Sequence, residues 1–288
     1  VTSKNVLSYH LSPVTVYVFS PVTCYLSPVT AFMVSFELHN TIAVVRLDRP
    51  EKLNALTREM LLELGETFGR IEGEPDIRAV ILTGAGDRAF CAGTDIGELA
   101  AIAVDEARQA ARRGQDVCER IERCAVPVIA AVNGVAAGGG FELALACHIR
   151  IASTNARFSL PETLLGIIPG YGGTQRLARA TGSGRALEMM LTGAEITAEE
   201  ALQIGLVNAT IAPAALLPEA ETLARKIASL APLAIRACLK AVTQGLTLPL
   251  EEGLKLEAEL FSGLFATEDM REGTRAFLEK RAPIFKGR

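Results

Sequence analysis

Residues 130–152 read AAVNGVAAGGGFELALACHIRIA, and this stretch decides the fold class. It links the apolar run 126–132 (VPVIAAV) to a second apolar run at 147–152 (CHIRIA) through Gly138-Gly139-Gly140 and the helical segment FELALA. Strand, turn, helix and strand in that order form a β/α crossover. Three consecutive glycines cost backbone entropy on folding, so they mark a place where the backbone must approach something closely. A helix starting there leaves N–H groups unpaired and aims its positive dipole end outward. Such a start receives an anion or a developing negative oxygen; the plainer alternative is a tight strand-to-helix turn.

Glu142 sharpens the first reading. Every neighbour in GGGFELALA is apolar or glycine, and a buried carboxylate without a partner is costly. It lies about 4.5 Å along the helix axis from Gly139 and on nearly the same face. The alternative is an acid placed favourably in a first helical turn. Glu162, in FSLPETLLGIIPGYGGTQ (158–175), follows Pro161 and admits the same two readings; a second glycine cluster, Gly170, Gly172 and Gly173, closes that segment.

Two further motifs compete. Cys91, in FCAGTD (90–95), has no histidine nearby in sequence and reads as a small buried thiol rather than a nucleophile. Gly84-Ala85-Gly86-Asp87-Arg88-Ala89 matches the GxGxxA dinucleotide fingerprint after a strand. It runs into AFCAGTD instead of opening directly into a helix, which weighs against a dehydrogenase.

Working outward, residues 34–47 alternate and are rich in β-branched side chains around His39-Asn40, a hairpin pattern. Thr57 to about Ile71 reads as a helix with Thr57 as N-cap. Residues 77–83 read as a buried strand, 95–101 as a short helix and 103–123 as an amphipathic helix. Beyond residue 172 the pattern is helical near 184–192, 197–204, 214–230, 232–244 and 250–280. The expected organisation is an α/β core over 34–230 and a helical region over 231–288.

Nearly half of the 288 residues are hydrophobic, tryptophan is absent, and the net charge is -4. That charge argues against broad nucleic-acid binding, which needs a basic face. No stretch approaches the roughly 20 apolar residues of a membrane span. Cysteines at 24, 91, 118, 124, 147 and 238 show no CxxC pair, so they read as reduced thiols in a cytoplasmic setting. His10, His39 and His148 are not spaced as metal ligands, and no metal is expected; His148 reads as a hydrogen-bonded core histidine. Residues 1–33 carry Ser-Pro-Val-Thr three times, at 12–15, 20–23 and 27–30. They read as an atypical, disordered extension or as a stretch upstream of a natural start at Met33, and fail as a secretory signal.

Six segments, in order, resemble the enoyl-CoA hydratase/isomerase (crotonase) family: LDRPEKLNALT (47–57), AFCAGTDI (89–96), residues 130–152, LPETLLGIIPGYGGTQRL (160–177), LTGAEITAEEALQIGLVN (191–208) and FATEDMREGTRAFLEKRAPIFKGR (265–288). The resemblance implies an α/β spiral of ββα repeats with a helical C-terminal region that makes trimers, often paired into hexamers. It implies an acyl-CoA thioester substrate, coenzyme A entering with the substrate and no other cofactor. The implied reaction is reversible syn addition of water across C2=C3 of a 2-enoyl-CoA, as in β-oxidation. Glu142 and Glu162 match the family's catalytic pair, Ala92 and Gly139 its thioester-oxygen-binding amides, and Gly170 an amide that helps hold the water.

The segment Ala92, Gly93, Thr94, Asp95 and Ile96 would line the substrate, with Lys52 and Lys280 toward coenzyme A. Gly97 stands where many hydratases carry lysine, and Thr94 where they carry alanine. Δ3,Δ2-enoyl-CoA isomerisation and hydration of a branched, 3-methylglutaconyl-type thioester remain alternatives on this scaffold, and a non-catalytic acyl-CoA- or RNA-binding member is a remoter one.

Overall fold

The computed structural model describes residues 32–288; the Ser-Pro-Val-Thr repeats, His10 and Cys24 lie outside the described residues. In chain order the elements begin with β1 (Val34–His39), β2 (Ile42–Leu47), α1 (Arg58–Gly73), β3 (Ala79–Gly84), β4 (Ala89–Cys91), α2 (Ile96–Ala101) and α3 (Ala107–Glu122). There follow β5 (Val128–Val132), β6 (Val135–Ala137), α4 (Gly139–Ala146), β7 (Ile149–Ser153), β8 (Arg157–Ser159), α5 (Gly173–Thr181) and α6 (Ser183–Thr192). The remainder is β9 (Ile196–Thr197), α7 (Ala198–Gln203), β10 (Ala209–Ile211), α8 (Leu216–Ala228), α9 (Pro232–Gly245), α10 (Leu250–Leu264) and α11 (Glu268–Leu278).

Local signals explain the first elements. Asn40 takes a positive φ of 57° at the β1–β2 turn, a conformation that asparagine tolerates better than most residues. The Thr57 hydroxyl accepts from the Met60 amide at 3.1 Å, capping α1. Helices α1 and α3 pack on one another, and α1 buries Leu64, Phe68 and Ile71 in the core.

The chain then climbs as a spiral. Each turn places one strand in a six-stranded sheet, order β1-β2-β3-β5-β7-β10, and a short one in a four-stranded sheet, order β4-β6-β8-β9. Except for the β1–β2 and β8–β9 pairs, every pairing is parallel. Strands β3 and β5 are buried along their whole length, as expected for a parallel sheet covered on both faces. Helix α8 covers one face through Leu216, Ala220 and Ala224, and α1, α3 and α4 cover the other through the larger core.

The expected α/β spiral is therefore present, with shifts in its parts. Residues 77–83 form a strand only from Ala79, 103–123 a helix only from Ala107, and 147–152 a strand only from Ile149. The run 250–280 is two helices, because Thr267 caps the Met270 amide at 3.1 Å and starts α11. The strands of the second sheet were not expected. The glycine motif at 84–86 leads into β4 rather than a helix, so it lacks the helix start that a dinucleotide turn requires.

Helices α9 and α10 bury none of their residues. No helix of the described residues is long and apolar enough to cross a membrane.

Candidate active site

Helix α4 starts at Gly139 without a side-chain cap, unlike α1 and α2, whose first turns are capped by Thr57 and Asp95. Its N-terminus is buried, and the amides of Gly139 and Gly140 have no acceptor among the described residues. Two close approaches put it there. Gly138 takes φ 49° and ψ -130°, open to glycine and to few other residues. Gly140 packs so tightly on the Cys91 carbonyl that a side chain at 140 would collide with backbone.

Glu142, on the first turn of α4, is 1% exposed. Its Oε1 accepts from the amides of Tyr171 at 2.8 Å and Gly173 at 2.6 Å. Burial pushes its pKa up to about 7; the Gly173 amide opposes that rise, the Glu162 charge adds to it, and the Tyr171 amide and Arg176 guanidinium oppose it. Glu162 opens a single 3-10 turn, Glu162–Leu165. It is also buried, and its Oε2 has no hydrogen-bond partner. Burial raises its pKa, countered by its own backbone amide. Its Oε1 stands over Gly138, where an added Cβ would lie 3.0 Å away. The structure thus brings both glutamates to the glycine-rich start of α4.

The loop before α2 corrects one expectation. The Ala92 amide donates to the Leu53 carbonyl at 3.0 Å and is not free for a ligand. Around it, Leu56 N–H donates to Gly93 O and Asp95 N–H to Leu56 O, both at 2.8 Å. The amides of Gly93 and Thr94 have no acceptor among the described residues. Thr94 also lies beside Gly139, its Oγ1 3.3 Å from where a Cβ on Gly139 would sit. The pairing of the Ala92 amide leaves those of Thr94 and Gly139 as the candidate donors.

The remaining expected residues divide. Gly93, at φ 105°, lets the loop pass 3.6 Å from Gly138 Cα, measured from its own would-be Cβ. Asp95 caps α2 through the Gly97 and Glu98 amides and pairs with Arg49 at 3.4 Å. Burial pushes its carboxyl upward, but those amides and Arg49 hold it below its usual range; it supports the loop. Ile96 is 59% exposed. The Gly170 carbonyl accepts from Gln115 Nε2 at 2.9 Å, and its amide has no acceptor among the described residues. Lys52 is exposed on the 3-10 turn Pro50–Lys52. Lys280 is exposed just beyond α11, outside the elements that build the cavity.

A cavity of about 230 Å³ adjoins the site and is lined by Leu56, Thr94, Arg113 and Tyr171 among others, but not by Glu142, Glu162 or Gly139. Sequence reasoning missed Tyr171, Arg113, Arg176 and the amide of Gly173. The GYGG run was the one available signal for the turn that carries Tyr171 and Gly173. Arg176 donates to the Tyr171 carbonyl at 3.0 Å and to Glu122 at 2.8 Å, fixing the turn whose amides hold Glu142.

Two residues set aside by sequence behave as inert structure. Cys91 is fully buried and its thiol is pushed up to about 12 by desolvation, so it is no nucleophile. His148 accepts from Val128 N–H through Nδ1 at 2.9 Å and bonds the Glu122 carbonyl through Nε2 at 3.1 Å.

The sequence model of the enoyl-CoA hydratase/isomerase family matches residues 37–288. The chain is 46% identical over 248 residues to a short-chain-enoyl-CoA hydratase of Clostridium acetobutylicum, covering 86% of this chain and 95% of that protein. It is 43% identical over 249 residues to a crotonyl-CoA hydratase of Syntrophomonas wolfei, covering 86% and 96% respectively. Among solved structures, an enoyl-CoA hydratase from Bacillus anthracis superimposes with a TM-score of 0.86 at 42% identity, covering 89% of this chain and all of that one.

Proposed function

The chain belongs to the enoyl-CoA hydratase/isomerase family, and from that premise we propose that it is an enoyl-CoA hydratase, with Glu142 and Glu162 as the paired acid–base groups. It is a hydro-lyase that reversibly adds water across C2=C3 of a 2-enoyl-CoA, giving a 3-hydroxyacyl-CoA. Coenzyme A arrives as part of the substrate, and the reaction needs no other cofactor.

The observation that carries the reading is the unequal support of two buried carboxylates at one uncapped helix start. Glu142 has two amide donors and the Arg176 charge to sustain its anion. Glu162 leaves a buried oxygen unpartnered, the environment of a carboxyl that keeps its proton. Two close carboxylates resist ionising together. Glu142 is therefore the base toward water and Glu162 the acid toward C2, titrating as a coupled pair.

In this mechanism the thioester oxygen accepts from the amides of Thr94 and Gly139, and the N-terminal dipole of α4 adds to them. The conjugated double bond is polarised, and the negative charge that develops on oxygen in the enolate-like transition state is stabilised. Water, held by Glu142 and the Gly170 amide, loses a proton to Glu142 as its oxygen bonds to C3. Glu162 delivers a proton to C2 on the same face. In dehydration the roles reverse.

The exposed apolar residues of α9 and α10, including Val242, Leu250, Leu254 and Phe261, fit burial against neighbouring copies in a trimer or a pair of trimers. The natural division of labour is then a spiral core over 34–230 and an assembly region over 231–288. Free, buried Cys91, Cys118, Cys124 and Cys147 suit a reducing, cytoplasmic setting.

Incubating the protein with crotonyl-CoA in deuterated water and reading the product by proton NMR tests the reaction. Hydration yields 3-hydroxybutyryl-CoA carrying one solvent deuterium at C2. Recovery of unchanged crotonyl-CoA, with turnover only of a 3-enoyl thioester, would move the assignment to isomerisation.

A further inference from the structure

Tyr171 occupies a position unlike any other aromatic side chain near the site. It is 9% exposed, and its backbone is held at both ends, by Glu142 through its amide and by Arg176 through its carbonyl. Its hydroxyl is 3.1 Å from Thr94 Oγ1. The ring is seated between two glycines, its Cδ1–Cε1 edge toward Gly114 and its Cδ2–Cε2 edge toward Gly139. A Cβ on Gly139 would stand 2.8 Å from Cε2, and one on Gly114 would overlap the ring outright. Gly114 lies inside α3, where glycine is unfavourable for a helix; the space its missing side chain leaves is the space the ring fills.

The ring also walls the cavity, together with Leu56, Leu61, Thr94, Ala110 and Arg113. At about 230 Å³ this cavity is smaller than the roughly 300–1,000 Å³ typical of sites for drug-sized ligands. A thioester oxygen on the Thr94 and Gly139 amides brings C2 and C3 beside Glu142, whose carboxylate hangs from Tyr171's own amide. Acyl carbons beyond C3 that continue into the adjoining cavity past Thr94 meet the ring.

We propose that Tyr171, seated on Gly114 and Gly139, is the wall that sets acyl-chain length and restricts the site to short 2-enoyl thioesters. This rests on the hydratase reading and adds to it a specificity determinant. The hydroxyl's contact with Thr94 holds the ring in place, but the bulk of the ring does the excluding.

The test compares crotonyl-CoA with trans-2-decenoyl-CoA for wild type, Tyr171→Phe and Tyr171→Ala, each first checked for folding by circular dichroism. Wild type and Tyr171→Phe should favour the short substrate. Tyr171→Ala should raise the decenoyl-to-crotonyl ratio of kcat/KM by about 10–200-fold, the range that small misfits in an apolar pocket produce.

Gly114→Ala should push the ring into the cavity and weaken turnover of both substrates. The double variant with Tyr171→Ala should recover much of that loss, since the clash is gone. An unchanged ratio in folded Tyr171→Ala, or no recovery in the double variant, would overturn the wall. Butyryl-CoA and decanoyl-CoA binding by calorimetry separates this from the chemistry. If no variant hydrates any enoyl thioester but Tyr171→Ala still gains decanoyl-CoA affinity, the hydratase reading fails and the wall stands.

Discussion

Helix α4 buries all eight of its residues, whereas α9 and α10, of fourteen and fifteen residues, bury none. Isolated helices of either length are marginal in water, so each must be held by its surroundings. For α4 those surroundings are in the same chain: Cys91 beneath Gly140, the 171–173 turn beside Glu142, and Phe158 tilted against Phe141 with ring centroids 5.4 Å apart. For α9 and α10 the contact is chiefly each with the other, and their exposed apolar faces are those that the proposed assembly would cover. The groups that hold Glu142 thus lie within one chain, while the proposed assembly surface lies on separate helices.

The largest effect expected from this difference lies in the rigid half. Glu142→Gln and Glu162→Gln should each lose about 10²–10⁴ in kcat for enoyl-CoA hydration, the usual range for one acid–base group, with unchanged circular dichroism. For wild type, kcat/KM should rise with pH as Glu142 ionises near 7, and this limb should be absent from Glu142→Gln. A variant retaining activity within a few-fold would remove its residue from the mechanism.

Gly140→Ala comes next. Its Cβ meets the Cys91 carbonyl, and backbone cannot yield as a flexible side chain does. Urea denaturation should show a loss of about 1–3 kcal/mol, the cost of overpacking a core. No loss would mean that α4 is less tightly seated than its burial implies.

Glu142→Gln should also stabilise the fold, and the sign follows from its raised pKa. Between pH 4.5, the ordinary value, and about 7 the folded state holds a proton that the unfolded state releases. Stability from the neutral carboxyl is therefore full below 4.5 and is lost as pH rises through about 7. At pH 8 the variant should gain on the order of 3 kcal/mol over wild type, given about 1.4 kcal/mol per pKa unit and the rise from 4.5 to about 7. That gain should vanish near pH 4; an equal gain at both values would point to packing instead.

The smallest effect belongs to the other half. Leu254→Asp on α10 should weaken assembly tenfold or more, about 1.4 kcal/mol, read as a concentration-dependent fall in mass by sedimentation. The far-ultraviolet spectrum should not change. An unaltered mass would place the subunit contacts elsewhere.

What could be read from sequence follows the same division between local and distant causes. The hairpin at 34–47, the Thr57 cap, the glycine run and both glutamates are carried by neighbouring residues. The strands β4 (AFC), β6 (VAA) and β8 (RFS) are three residues each and exist through pairing with one another, so no periodicity announced them. Which amide of the 92–94 loop is free depends on hydrogen bonds to Leu53 and Leu56, and that distant partner moved the donor from Ala92 to Thr94. Tyr171 became visible only when Gly114, on a separate helix, was found beneath its ring.

The central claim is that two buried, unequally supported carboxylates hydrate an enoyl thioester. Ultraviolet absorbance of crotonyl-CoA, followed for wild type beside Glu162→Gln, tests it most directly. Rapid loss of the conjugated thioester with wild type, slowed at least about a hundredfold in the variant, is the predicted result. No loss with wild type, or equal loss in both, would contradict it.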